Sequence, residues 1–233
     1  MRGLWCAALA GLIVMAAPAF AAEPYVTAKM MDLSQLVPPP PAKGSPEDIA
    51  DMRAVLAAQA RASEARRAQA LVDSDETVFV MFTSVLGAKF DATALPKTSA
   101  MFERIGESED DTLDAAKPIF GRVRPWIADT DVKAFAKPTK SGSYPSGHTT
   151  RVAICAIVMS VLVPEKQREF WLRADDYAES RVVGGMHYPS DLAAGWRTGT
   201  AMAAVMFSQP GFRADLAAAK AEVRAALGLP VAP

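Results

Sequence analysis

Only two histidines occur in the whole chain, and each stands in a short stretch suited to work on an anion. His148 lies in Gly142-Ser143-Tyr144-Pro145-Ser146-Gly147-His148-Thr149. Pro145 stops any preceding helix, and Ser146-Gly147 opens an apolar helical run after it. A helix N-terminus offers unpaired backbone N–H groups and a partial positive charge, and Gly147 lets a ligand approach the main chain closely. The same residues serve equally as an ordinary Ser146 N-cap beside a surface histidine. His187 lies in Ser180-Arg181-Val182-Val183-Gly184-Gly185-Met186-His187-Tyr188-Pro189-Ser190-Asp191. A helix starting near Pro189 sets His187 and Asp191 one turn apart. The carboxylate can then accept from Nδ1–H, fix the tautomer and turn the Nε2 lone pair outward. Its plain counterpart is a helix cap by Ser190 or Asp191 with a structural His–Asp bond.

The third element is cationic. Lys117 and Arg124 stand seven apart, and Pro118 and Pro125 each disfavour α-conformation in the residue before them, so the spacing predicts a bent segment. Arg124 brings a planar fork suited to two phosphate oxygens and Lys117 a point charge. A solvated basic loop accounts for Lys133, Lys137 and Lys140.

Lys-x6-Arg-Pro, then Pro-Ser-Gly-His, then Ser-Arg-x5-His-x3-Asp, in that order, resemble the three-part signature of the type 2 phosphatidic acid phosphatase superfamily. That superfamily holds bacterial class A non-specific acid phosphatases, lipid phosphatases and vanadium-dependent haloperoxidases. The string Gly142 to Thr149, the Leu36-Val37-Pro38-Pro39-Pro40-Pro41-Ala42 lead-in and the Gly44-Ser45 after it are similar to the class A enzymes in particular. One stretch departs from them: Tyr188-Pro189 follows the second histidine where class A members more often carry Trp-Gln, and Ser180 stands where they carry Cys. This bears on substrate preference and leaves the catalytic positions filled.

The resemblance implies a phosphomonoester hydrolase. Lys117, Arg124 and Arg181 would clamp the non-bridging oxygens, with the Ser146 hydroxyl and the Gly147 N–H completing the cradle. His187, oriented by Asp191, would attack phosphorus and form a phosphohistidine, and His148 would protonate the leaving oxygen and then activate water. His187 must be neutral and His148 protonated, conditions met together on the acid side of neutrality if the surrounding positive charge lowers His187. No cofactor and no metal are implied, since three cations would crowd a divalent ion. Vanadate, which mimics the transition state, should inhibit. A vanadium haloperoxidase, a lipid phosphatase and a non-catalytic phosphate-binding module are the rival readings. The last needs neither a His–Asp pair nor a second histidine.

Helices must position these residues. Ser45 is an N-cap candidate with Pro46 at the first helical position, opening a long helix to about Val72. Asp75 to Leu86 reads as a second helix closed by Gly87, and shorter ones cover Thr98 to Ile105 and Asp110 to Ala116. Lys117 to Tyr144 reads as a loop, and its length marks it as functional. Helices resume over Gly147–Leu162, Glu165–Val182, Pro189–Phe207 and Arg213–Leu227. Strand-type alternation is almost absent, so the expected fold is all-α, a single-domain helical bundle of the acid phosphatase/vanadium haloperoxidase type.

At the N-terminus, Arg2, an apolar Gly3 to Pro18 and an Ala19-Phe20-Ala21 site read as a secretory signal, with no basic stop-transfer cluster after it. The expected organisation is a signal over 1–21, an extended Pro-rich lead-in over 22–45 and a helical phosphatase domain over 46–233, working in the periplasm or outside the cell. Cleavage removes Cys6 and leaves Cys155 alone, so a core of roughly 210 residues, 51% hydrophobic over the whole chain, must supply stability without an internal disulfide. With 25 basic and 26 acidic residues the chain has no general attraction for nucleic acid or an anionic membrane. No segment of the mature chain is long enough to span a bilayer. The expected partner is a small phosphomonoester, with no nucleic acid and no stable membrane insertion. Homo-oligomerisation is left open.

Overall fold

The computed structural model of the protein describes residues 23–135 and 139–230. The expected signal and Lys137 lie outside them. All regular structure among the described residues is helical, as the sequence leads one to expect. In chain order the helices are α1 (Leu33–Leu36), α2 (Pro46–Arg61), α3 (Glu64–Val72), α4 (Val78–Leu86), α5 (Pro96–Phe120), α6 (Pro125–Ala128), α7 (Gly147–Leu162), α8 (Gln167–Val183), α9 (Pro189–Ser208) and α10 (Pro210–Leu227). A 3₁₀ turn at Pro164–Lys166 leads into α8.

Helix α7 is the axis of the bundle. Val152, Ile154, Ala156, Val158 and Met159 point in different directions around it, yet none has exposed surface. A helix apolar all round is one surrounded by partners, and α4, α5, α8, α9 and α10 all pack against α7. The closest approach is made by α9 through its glycines. A Cβ on Gly199 would stand 2.5 Å from the Thr150 carbonyl oxygen and 2.7 Å from Ala153 Cβ. Gly199→Ala is therefore expected to cost about 1–3 kcal/mol by overpacking and to lower the thermal midpoint by several degrees. Gly211→Ala, whose nearest neighbour would be 4.0 Å away, is the control. Equal midpoints for the two variants would show that the α7–α9 contact has slack.

The lead-in is part of this packing. Tyr25 and Val26 are buried. The Tyr25 N–H donates to Ser108 Oγ at 2.8 Å, and its phenol donates to Asp215 at 2.6 Å. Leu33 and Val37 join Leu113, Ala116, Tyr144 and Ala194 in a small second core. The Tyr144 phenol donates to the Pro38 carbonyl at 2.6 Å, which ties the proline run to the residues before α7.

Several boundaries differ from the sequence reading. The helix expected to reach Val72 breaks at Ala62, whose ψ of 122° is extended, because the Ser63 side chain accepts from the Arg66 N–H and starts α3. The helices expected over 98–105 and 110–116 are one helix of 25 residues, with Pro118 inside it. Pro118 is tolerated because it faces solvent, where the carbonyl it leaves unpaired can bond water. Lys117 is thus helical rather than the start of a bent loop, and α5 ends only at Gly121 in the left-handed conformation, φ 60°. The long loop expected from 117 to 144 accordingly shrinks, and α6 interrupts it. The 3₁₀ turn carries the start of the 165–182 helix, and Pro210 starts the last helix three residues earlier than expected.

Candidate active site

Four segments meet in a cavity of about 280 Å³ at the N-terminal end of α7. The last turn of α5 brings Lys117, and the segment before α6 brings Arg124. The first turn of α7 brings Gly147 and His148, and the end of α8 with the loop after it brings Arg181, Met186 and His187. Two histidines and three cations distant in sequence thus line one pocket. Glu76, from the α3–α4 loop, and Glu109, from α5, line it as well.

His187 is almost fully buried. Arg124 Nη1 lies 3.1 Å from its Nε2, and the Ser143 carbonyl lies 2.8 Å from its Nδ1. Arginine has only donors, so Nε2 must hold the lone pair; the hydrogen then sits on Nδ1 and is donated to Ser143. The ring is fixed from both sides at the cavity wall, its Nε2 lone pair accepting from Arg124. Burial pushes His187 well below its ordinary value, and the charges of Arg124, Arg181, Lys117 and His148 push the same way. It is held neutral.

Asp191 sits differently from the sequence expectation. One turn separates it from His187, but its Oδ2 is 3.4 Å from Nδ1, and the shorter bond goes to the Ser143 carbonyl. The carboxylate is occupied in capping α9: Oδ2 accepts from the Tyr188 N–H at 2.9 Å. Oδ1 accepts from Arg122 at 2.7 Å. Burial raises Asp191 to about 7 against the pull of Arg122. Arg122 went unnoticed in the sequence because it matches no part of the signature. It bridges Asp191, Asp51 (2.7 Å) and Asp48 (3.3 Å) and lies over the Tyr188 ring at 4.0 Å.

The three cations are not equivalent. Arg124 commits its donors to the carbonyls of Ser141, Gly142 and Met186, to Ser141 Oγ and to His187. Its fork is rigid, and it meets an anion only by exchanging some of these bonds; burial and the Arg181 charge pull it down to about 10. Arg181 is buried to 3% exposure, yet among the described residues its Nε and Nη1 have no hydrogen-bond partner. A buried guanidinium with unsatisfied donors on the wall of a cavity marks an anion position. Lys117 Nζ would stand 3.5 Å from a Cβ on Gly147, and Glu109 Oε1 only 2.8 Å, so that position admits glycine alone without displacement.

Ser146 takes the plain role open to it. Its hydroxyl accepts from the Thr149 N–H at 3.3 Å as N-cap of α7, and neither it nor Asp191 lines the cavity. Phe120, Trp126 and Tyr144, which flank the motifs in sequence, do not line it either. His148 is held between two acceptors, the Ser74 carbonyl at 3.2 Å from Nε2 and Glu76 Oε1 at 2.5 Å from Nδ1. Burial and the Arg181 charge lower it, while Glu76 and the Ser74 carbonyl work to raise it.

The family model of the PAP2 superfamily matches residues 111–215, a span that contains all three motifs. An acid phosphatase of Zymomonas mobilis is 30% identical over 196 residues, covering 81% of this chain and 74% of that protein. A non-specific acid phosphatase of Salmonella typhi is 31% identical over 195 residues, covering 80% and 78%. A bacterial vanadium-dependent iodoperoxidase of known structure shares the fold, with a TM-score of 0.52 at 17% identity over 76% of this chain and 53% of its own. With the family match on the motif-bearing core and the acid phosphatase likeness running through most of both chains, the protein belongs to the PAP2 superfamily and is a phosphomonoester-hydrolysing acid phosphatase of the bacterial class A, non-specific kind.

Proposed function

We propose that hydrolysis runs through a covalent phosphohistidine on His187, with His148 as general acid and then general base. The observation that carries this reading is a neutral His187 on the wall of a cavity, its Nε2 lone pair engaged among the described residues only by Arg124, beside a buried arginine with unsatisfied donors. A phosphate dianion enters against Arg181, Lys117 and the free N–H groups at the start of α7, and Arg124 exchanges part of its bonding to join them. His187 Nε2 attacks phosphorus, the P–O bond to the leaving group breaks, and its electron pair leaves as alkoxide, which takes the His148 proton. Water then attacks phosphorus and gives a proton to His148, and the P–N bond breaks with its pair returning to Nε2. Preorganised positive charge does most of the work, since phosphoryl transfer asks for little covalent help. Asp191 acts from behind, as the cap that holds His187 in register with α9.

A cavity of about 280 Å³ has room for the phosphoryl group and part of what is attached to it. The likeness to non-specific acid phosphatases supports a broad range of monoesters, nucleotides among them. The apolar run to Pro18 and the Ala19-Phe20-Ala21 site support export to the periplasm or beyond. Among the described residues no helix is long and apolar enough to cross a membrane.

The sign of the pH dependence follows from the two histidines. His148 must carry its proton, so activity is lost as pH rises through its value, which lies below 6.5 in the free enzyme. His187 must be neutral, a condition lost only far to the acid side. The kcat/KM profile on an alkyl phosphate, whose leaving group needs the proton, is expected to fall on the alkaline side with a midpoint below pH 6.5, with vanadate inhibiting and excess chelator without effect. A rate still rising between pH 7 and 8 would rule these roles out.

A further inference from the structure

The α3–α4 loop, residues 73–77, grips the ring of His148 at both nitrogens. The Ser74 carbonyl takes Nε2 and the Glu76 carboxylate takes Nδ1. The loop is itself anchored to α8. Asp73 is fully buried and accepts from Arg173 at 2.5 Å and Ser180 at 2.5 Å, and the Tyr177 phenol donates to the Asp75 carbonyl at 2.8 Å. Tyr177 also stacks against the His148 ring, 6.1 Å between centroids and 20° between planes. One helix therefore carries Arg181 on the catalytic wall and fastens the loop that orients His148.

We propose that Glu76 is the positioning residue of the general acid, holding the His148 ring in place and protonated until the leaving oxygen takes over one of its two hydrogen bonds. This rests on the phosphohistidine reading above. The chemistry of the contacts is the argument. Carbonyl and carboxylate oxygens only accept, so both ring nitrogens must donate, and a ring that donates from both nitrogens is imidazolium. That is the form that can give a proton to an alkoxide. Glu76 sits where it can serve so: burial alone would raise it, but the hydrogen bond and charge of His148, with Arg151 and Arg181, hold it down at about 2, so it stays ionised.

The charged and titratable groups facing His148 set its proton affinity together. They are Glu76 from the loop, Glu109, Asp110 and Lys117 from α5, Arg124 before α6, Arg151 from α7, Tyr177 and Arg181 from α8, and His187. Of these, Glu76 alone bonds the ring with a negative charge.

The test is Glu76→Gln, isosteric and able to accept the same bond without the charge, with Glu76→Asp as the charge-keeping companion. Rates are compared on p-nitrophenyl phosphate, whose leaving group needs little protonation, and on an alkyl phosphate, whose leaving group needs a full proton. Glu76→Gln is expected to lose about tenfold or more on the alkyl ester and less than about threefold on the aryl ester. It is also expected to move the alkaline limb of kcat/KM about one pH unit to the acid side, while Glu76→Asp restores part of both. An equal loss on both esters, or an unmoved limb, would overturn the role of Glu76. His148→Ala is run alongside. If it also shows no preference between the esters, the assignment of His148 fails and the proposal falls with it. If it shows the preference and Glu76→Gln does not, Glu76 alone is refuted.

Discussion

His187→Ala is expected to lower turnover by about 10⁴-fold or more and to leave no phosphoenzyme that can be trapped by acid quench. The size follows from what the residue supplies. Its Nε2 lone pair is held by Arg124 at the cavity wall, and burial among Arg124, Arg181, Lys117 and His148 keeps that lone pair free of a proton. Alanine leaves the cations in place, so substrate still binds, and the loss should fall on kcat more than on KM. It also strips a partner from the Ser143 carbonyl and from Arg124, at about 1–3 kcal/mol of stability each, so the thermal midpoint is measured beside the rate. His148→Ala is the contrast: p-nitrophenyl phosphate should still phosphorylate it, and the trapped enzyme should accumulate because water is no longer activated. Turnover by His187→Ala above about 1% of wild type would refute the covalent mechanism.

The signature residues could be read from the sequence because each had a local reason to stand out. Pro145 and Ser146-Gly147 announce a helix start, Pro189 another, and a chain with two histidines leaves few choices for acid and nucleophile. The fold class was legible for a similar reason: capping serines, Pro at first helical positions and the absence of alternation all say helix. What the sequence hid was non-local or competitive. Glu76 lies 72 positions from His148 and belongs to no motif. Ser143 could not be foreseen as the partner of His187 Nδ1, because a carbonyl carries no residue identity. Asp191 had two suitors, the imidazole at one turn and the N–H groups of its own helix start, and the shorter bonds went to the helix and to Arg122. Pro118 misled because its cost depends on whether the far side of the helix meets water or core.

The same lesson makes Arg122 the second large effect. Its guanidinium is nearly buried and stands between Asp191, which has no exposed surface, and Asp51, with Ser190 bonded to both Arg122 and Asp51. Two buried carboxylates from α2 and α9 are thus joined through one cation from the α5–α6 connection. Replacing the pair with apolar groups can be harmless, but removing one member leaves buried charge without compensation. Arg122→Met, close in length and apolar, is therefore expected to cost about 3–5 kcal/mol and to lower the thermal midpoint by roughly 10 °C. The sign of its pH dependence is set by Asp191, which burial raises to about 7 even with Arg122 present and which rises further without it. A carboxyl raised on folding lends stability below its unfolded value and loses it as pH climbs through the folded one. The deficit of Arg122→Met should then be smallest on the acid side and open as pH climbs through about 7, the Asp191 value with Arg122 present, and Asp191→Asn in the same chain should recover part of it. Activity at acid pH should suffer less than stability at neutral pH, because Asp191 reaches His187 only at 3.4 Å while it caps α9 directly. A midpoint unchanged from wild type at pH 7 would mean that the cluster is solvated and that His187 is held in register by the Ser143 carbonyl alone.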